Sequence, residues 1–235
     1  MNAPKHQNRK KSKLKAAGRD GDLTAPLSRR VALQLLAAAS LMSVASCKIV
    51  AISDQLKIDG QGFDATRYAD QIWASKVLPH FAASAEPMGE VLAAIAADLG
   101  SAGEKYGYRA ATEGSPWTFI VAGSGTITKK NTQSRAGTMT VSVDGMGSGA
   151  TIQIGPVVKG NAIRDSLPFV SFKDFTNQLQ FADVGKALTA LALAAIGADA
   201  AALTEGQKVS FTGAMSLNRG SDKILITPVS LKAAA

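Results

Sequence analysis

Cys47 is the one thiol in the sequence, and His6 and His80 are its two imidazoles. A single thiol forms no internal disulfide, and with two histidines it falls short of the usual zinc donor set. Calcium and magnesium could still use carboxylates alone, but no Asp-rich loop of the EF-hand type occurs. A Ser-His-Asp triad would have to use His80, because His6 lies in a segment read below as removable. His80 falls between two helical patterns with no nucleophile motif beside it, which fits an ordinary surface or capping histidine. Paired carboxylates such as Asp165 and Asp174 would be the raw material of a hydrolase. Gly145, Gly147 and Gly149 are spaced like a phosphate cradle, yet no helix begins directly after them and no Gly-Lys-Ser/Thr follows, so they read as a hairpin tip. The expectation is a chain without metal or cofactor and without enzymatic activity.

One stretch concentrates polar groups near a bend and a helix start: Gln153, Arg164, Asp165, Asn177 and Gln178. Two readings stand. In the first, Arg164 pairs with a carboxylate or carbonyl, Asp165 caps a turn, and the amides tie a helix to the sheet. In the second, the cluster lines a ligand mouth. The first is preferred, since pairing among themselves removes the cost of burying such groups.

Cys47 has the clearest chemistry. Val31 to Val44 is a short apolar run behind a basic segment, too short to span a membrane comfortably and ending in small residues, as a secretory signal does. It closes on Val44-Ala45-Ser46-Cys47, which resembles the bacterial lipobox, where the thiol accepts diacylglycerol. Acyl chains would then hold the protein stably, at roughly 0.8 kcal/mol per buried methylene. Ser28-Arg29-Arg30-Val31-Ala32-Leu33 resembles a twin-arginine export motif, and a plain Sec signal is the alternative. Lys48, not aspartate, follows the cysteine, so inner and outer membrane both stay open. The formal charge of +8 also belongs to this segment. Residues 1–46 carry nine Lys/Arg and two Asp/Glu, a net of +7, which leaves +1 for the remainder. A body so nearly neutral, in a chain with 6% aromatics, has no footprint for nucleic acid.

The elements that must position these groups follow from periodicity. Residues 1–46 read as signal and 47–62 as a lipidated tether, with a short strand at 48–52. Residues 63–235 read as one domain, with helices over 64–105 and a barrel over 115–232. A helix from Asp64 to about Leu78 stops at Pro79, and a second begins near Glu86-Pro87 and ends at Gly100 and Gly103, giving a helical hairpin. Period-two alternation then marks strands at 117–127, 138–143 and 151–154, with Gly123 and Gly125 as bending points. Ser171 and Asp174 resemble a capping box, followed by an apolar stripe at Phe172, Phe175 and Leu179. An Ala/Leu-rich helix over Val184 to Ile196 is bounded by Lys186, Gly197 and Asp199. Strands at 209–217 and 223–231 close the chain. The fold class is α+β: a small OB-like five-stranded barrel with an N-terminal helical hairpin and a helix pair inserted between strands three and four.

Several stretches together resemble the domain of unknown function 2291 family of predicted periplasmic lipoproteins. They are Gln71-Ile72-Trp73 with Val77-Leu78-Pro79, Tyr106-Gly107, Gly123-Ser124-Gly125 and Gln153-Ile154-Gly155-Pro156. Arg164-Asp165, Phe172 to Gln178 and Ile226-Thr227-Pro228-Val229 complete the set. The resemblance implies a mixed barrel-and-helix fold and genes that often lie beside sugar ABC transporter components. It assigns no activity and no catalytic residues, and the long basic leader departs from it. The expectation is a membrane-anchored periplasmic lipoprotein, a non-enzymatic accessory or binding component of sugar uptake. An envelope hydrolase using carboxylates and a small-molecule binding module are the alternatives. The expected partners are the membrane, through lipid on Cys47, and sugar ABC transporter components.

Overall fold

The computed structural model describes residues 62–110, 114–143 and 149–234. Cys47, the signal segment, the tether before Gly62 and the loop containing Gly145 and Gly147 lie outside the described residues.

Two-residue strands β1 (Glu86–Pro87) and β2 (Gly107–Tyr108) pair with the first half of β3 (Trp117–Asn131). The other strands are β4 (Thr138–Val143), β5 (Gly149–Gln153), β6 (Lys208–Leu217) and β7 (Leu225–Ala233). The pairings run from β3 to β4, β4 to β5, β5 to β7, β7 to β6 and back from β6 to β3. All are antiparallel except β5 with β7. Strand β3 makes this closed circuit by serving two partners. Residues Trp117 to Thr126 pair with β6, and Gly125 to Asn131 pair with β4. Gly125 sits in the overlap, where an added Cβ would collide with the Ser142 carbonyl and with Val141. The bending role read for that glycine in the sequence thus has a steric basis.

Period-two alternation points one set of side chains inward. Phe119, Val121, Ile127, Met139, Val141, Ile152, Phe211, Met215 and Ile226 form the inner core. The opposite face of the sheet is covered, so Ile120, Ala214 and Val229 are buried as well, in a second, outer core. Strands buried on both faces read as near-continuous apolar runs, which is why Phe119-Ile120-Val121 shows little polar alternation.

Helices α1 (Ala65–Ile72) and α2 (Leu78–Ser84) are joined by a π-helical turn, Trp73–Val77. Pro79 therefore does not stop the helix as expected. The Leu78 N–H reaches back to the Trp73 carbonyl, five residues earlier, and the wider turn leaves Pro79 in the first turn of α2, where it has no donor to lose. The next helix, α3 (Met88–Ala97), ends at Asp98 rather than at the glycines. Asp98 accepts from the Ser101 N–H and starts α4 (Leu99–Tyr106), which contains Gly100 and Gly103. The expected hairpin does not form. Ala69, Ile72, Val77 and Phe81 of the first helices join the outer core, whereas Met88, Val91, Leu92 and Ile95 of α3 join the inner one.

A short turn of helix, α5 (Ala162–Asp165), and a 3-10 turn, Phe172–Asp174, precede α6 (Gln178–Ala202). The inserted pair is thus two turns and one helix of 25 residues. Lys186, Gly197 and Asp199 do not bound it, because they lie on its water-facing side. The helix is long and apolar enough to cross a membrane, but its stripe is packed in the domain. That stripe, Val184, Leu188, Ala192, Ile196 and Ala200, repeats every four residues. A strict four-residue step drifts around a helix by about 40° each time. The drift explains why Val184, Leu188 and Ala192 face the outer core while Ile196 and Ala200 face the inner one. Lys130 of β3 fixes the far end, its Nζ donating to the carbonyls of Ala201 (3.0 Å) and Leu203 (2.6 Å). A cation there answers the orphan carbonyls and the negative end of the helix dipole.

Candidate functional site

The polar residues singled out in the sequence separate into three local structures. Gln153, at the end of β5 and 5% exposed, donates from Nε2 to the Lys159 carbonyl (3.2 Å) and lies 3.1 Å from Thr227 Oγ1 on β7. Its Oε1 accepts from the Lys159 N–H at 2.8 Å. Arg164 clasps Asp165 through Nε (2.8 Å) and Nη2 (2.7 Å), donates from Nη1 to the Phe181 carbonyl (3.2 Å), and lies 3.8 Å over the Phe181 ring. Asn177 caps α6, its Oδ1 accepting from the Gln180 N–H at 2.9 Å. Gln178 is exposed at the first position of the helix. The structure therefore does not gather the five into one pocket wall. The Ser171–Asp174 capping box does form, with the Ser171 N–H donating to Asp174 at 2.9 Å, but it caps a single 3-10 turn. Asn177 then starts a new helix, and the expected stripe breaks: Phe175 is buried while Phe172 and Leu179 are exposed.

These ties hold the segment 154–161 as a ridge. The N–H groups of Ile154 and Gly155 donate to the Gly137 carbonyl, and that of Val157 to Arg135, so the ridge lies along the turn between β3 and β4. An added Cβ at Gly155 would overlap that turn's backbone, which is why the close approach needs glycine. Gly160, at φ +81°, reverses the chain into α5.

The ridge has a hollow on each side, and Gly160 and Asn161 line both. One is an open groove of about 500 Å³ against α6, walled by Ile154, Pro156, Val158, Thr189 and Leu193, with Lys186 at its edge. The other, of about 340 Å³, is bordered by Lys159, Asp165, Ser216, Asn218 and Lys223. Among the described residues neither the Lys159 nor the Lys223 ammonium is in an ion pair. The Asp165 carboxylate is held by Arg164. The turn between β6 and β7 that carries Asn218 and Lys223 is fixed by Asp222, which accepts from the N–H groups of Asn218 (3.0 Å) and Arg219 (2.9 Å). Those backbone donors, Arg219's first, hold the Asp222 carboxyl below the usual carboxylate range. Both hollows mix apolar and polar lining; the smaller is bordered by two asparagines, a serine and two lysines.

Sequence reasoning missed Asn161, Lys159, Asn218 and Lys223 as a group. Lys159 and Lys223 are distant in sequence and meet only because β5 pairs with β7. His80 was also misplaced. It lies within α2, half-buried, with Nε2 3.1 Å from the Ser166 carbonyl and Nδ1 3.4 Å from Ser84 Oγ. A carbonyl only accepts, so Nε2 carries a proton, and in the neutral ring Nδ1 faces the hydroxyl as acceptor. The Phe169 ring packs edge-on at 5.6 Å. His80 thereby ties α2 to the turn after α5.

The closed circuit of strands with a helix between β5 and β6 places the chain among mixed α+β proteins of OB-fold type. It superposes on the crystal structure of an OB-fold protein from Thermotoga maritima with a TM-score of 0.60, 17% identity, and coverage of 74% of this chain and 100% of that one. None of the curated proteins matches the chain. The profile of the domain of unknown function 2291 family, described as predicted periplasmic lipoproteins, matches residues 37–232, and the chain belongs to that family.

Proposed function

We propose that the protein is a non-enzymatic binding or accessory component of a sugar ABC transport system, held on the periplasmic side of a membrane through lipid on Cys47, and that the ridge at Asn161 is its working surface. The observation that carries the reading is the division of labour around that ridge. The charged and amide groups that could have formed a catalytic set are occupied: Asp165 by Arg164, Asp174 by the Ser171 N–H, Gln153 by Lys159 and Thr227. Lys159, Lys223 and Asn218 border the smaller hollow, and Asn161 borders both. Amides, hydroxyls and ammonium groups beside an apolar wall suit a polyhydroxylated ligand, whose hydroxyls both donate and accept. The link to sugar transport itself comes from the family resemblance.

The test is transport. A strain lacking the gene takes up labelled sugars more slowly for at least one substrate, and the gene restores uptake while Cys47→Ser does not. Unchanged uptake of every sugar in the panel would remove the transport role. The hydrolase alternative is separated by a panel of glycoside and ester substrates, where turnover abolished by Asp165→Asn would favour the enzyme.

A further inference from the structure

Five aromatic rings form a chain on one side of the domain. Phe63 lies 6.0 Å from Tyr68 and 5.5 Å from Phe175, Phe175 lies 5.5 Å from Tyr68 and 5.6 Å from Phe181, and Phe181 lies 5.7 Å from Phe172, measured between ring centres. The middle of the chain is anchored: Phe175 is 8% exposed, and Arg164 covers a face of Phe181. Its ends are open. Phe63 is 36% exposed and Phe172 51%. Of the five large hydrophobic residues exposed among the described residues, two, Phe63 and Phe172, end this one continuous chain of rings. Clustering of that kind marks an interaction surface rather than scattered surface apolarity.

Two features select the occupant. Phe63 opens the described domain and stands sixteen residues after Cys47. A lipid on Cys47 would therefore keep Phe63 within about 55 Å of the bilayer even at full extension of the chain. Charged side chains of both signs lie on the segments that carry the rings: Arg67 and Lys173 are exposed, as are Asp64, Asp70 and Asp174. Exposed Phe rings bury their apolar surface at the boundary between headgroups and acyl chains.

We propose that the Phe63–Phe172 face lies on the membrane leaflet that holds the acyl chains, with Phe172 entering the boundary region. This goes beyond the transport reading, and it rests on the Cys47 anchor for its nearness to lipid. The anchor alone leaves orientation free; the ring face gives the domain a defined side toward the bilayer.

Full-length protein purified from membranes and carrying Phe172→Trp, a change that keeps a ring at the position, is reconstituted into phosphatidylethanolamine–phosphatidylglycerol vesicles with or without brominated acyl chains. Wild-type protein supplies the background from Trp73 and Trp117. The emission added at residue 172 should be blue-shifted and about twofold weaker in the brominated vesicles. Equal added emission in both vesicles overturns the proposal. So does a blue shift already present without vesicles in a sample whose mass is that of a dimer, which assigns the face to a second copy. Intact mass of the same sample reads Cys47 separately. Acyl chains without quenching keep the anchor and sink the face, and quenching without acyl chains does the reverse.

Discussion

The inside of the strand circuit and the ridge at residues 154–161 are built on opposite terms. Inside, Phe119, Met139, Ile152 and Met215 belong to one buried cluster drawn from four different strands, so no single contact decides the structure. The ridge has almost no apolar burial of its own. It is held by the Gln153 amide, by the N–H groups given to Gly137 and Arg135, and by the Arg164–Asp165 clasp behind it. Redundant packing makes the first region a scaffold. Sparse, directed bonds fix the second while leaving Asn161 and the two lysines beside it bordering its hollows.

The largest expected effect lies in the scaffold. Phe119→Ala removes a fully buried ring from the inner core and should cost about 3–5 kcal/mol, read as a lower midpoint in denaturant with an unchanged slope. Gln153→Ala should cost less, about 1–3 kcal/mol, because it leaves the Lys159 N–H and Thr227 without their partner. Its second consequence sharpens the contrast, since amide exchange should quicken at Val157 and Lys159 more than at Val121 or Val141. Uniform acceleration across both regions would show that the ridge has no separate identity. The smallest effect is a pH dependence. The Asp98 and Asp222 carboxyls are held below the ordinary range chiefly by the N–H groups of Ser101 and Arg219. Groups with depressed folded values contribute their stability above the ordinary carboxylate pKa of about 4 and lose it as pH falls through the folded value. Asp222→Asn should therefore lower stability slightly at neutral pH, flatten part of the acid limb of the profile, and change little at the acid end, where the wild-type contribution is already lost.

How much of this was legible in the sequence divides along the same line. Alternation at Met139, Val141 and Val143 located a strand because one face is buried and one is wet. Ser171 and Asp174 located a cap because capping is chemistry within four residues. Pro79 misled because the π-turn before it absorbs the missing donor, and the N-terminal helices were read as mutual partners although each packs on a different core. Lys186 and Asp199 looked like helix boundaries because a charge on the wet side of a helix reads in sequence like an end. The polar cluster was found as residues, but its sorting into a ridge tie, an ion pair and a cap depends on Thr227 and Phe181, which only the fold brings near. That Lys223 joins Lys159 and Asn161 left no local signal, since it follows from the β5–β7 pairing.

The central claim is that the ridge binds a ligand and the scaffold does not. Acylated full-length protein in detergent, its Asn161→Ala variant and its Phe119→Ala variant are melted with and without each member of a sugar library. A ligand present at 100 times its Kd stabilises by about 2.7 kcal/mol, a shift readily seen in Tm. The account predicts that at least one sugar raises the Tm of the wild type and of Phe119→Ala by similar free energies and leaves Asn161→Ala unmoved. A library that shifts none of the three, or a sugar that still stabilises Asn161→Ala in full, would contradict it.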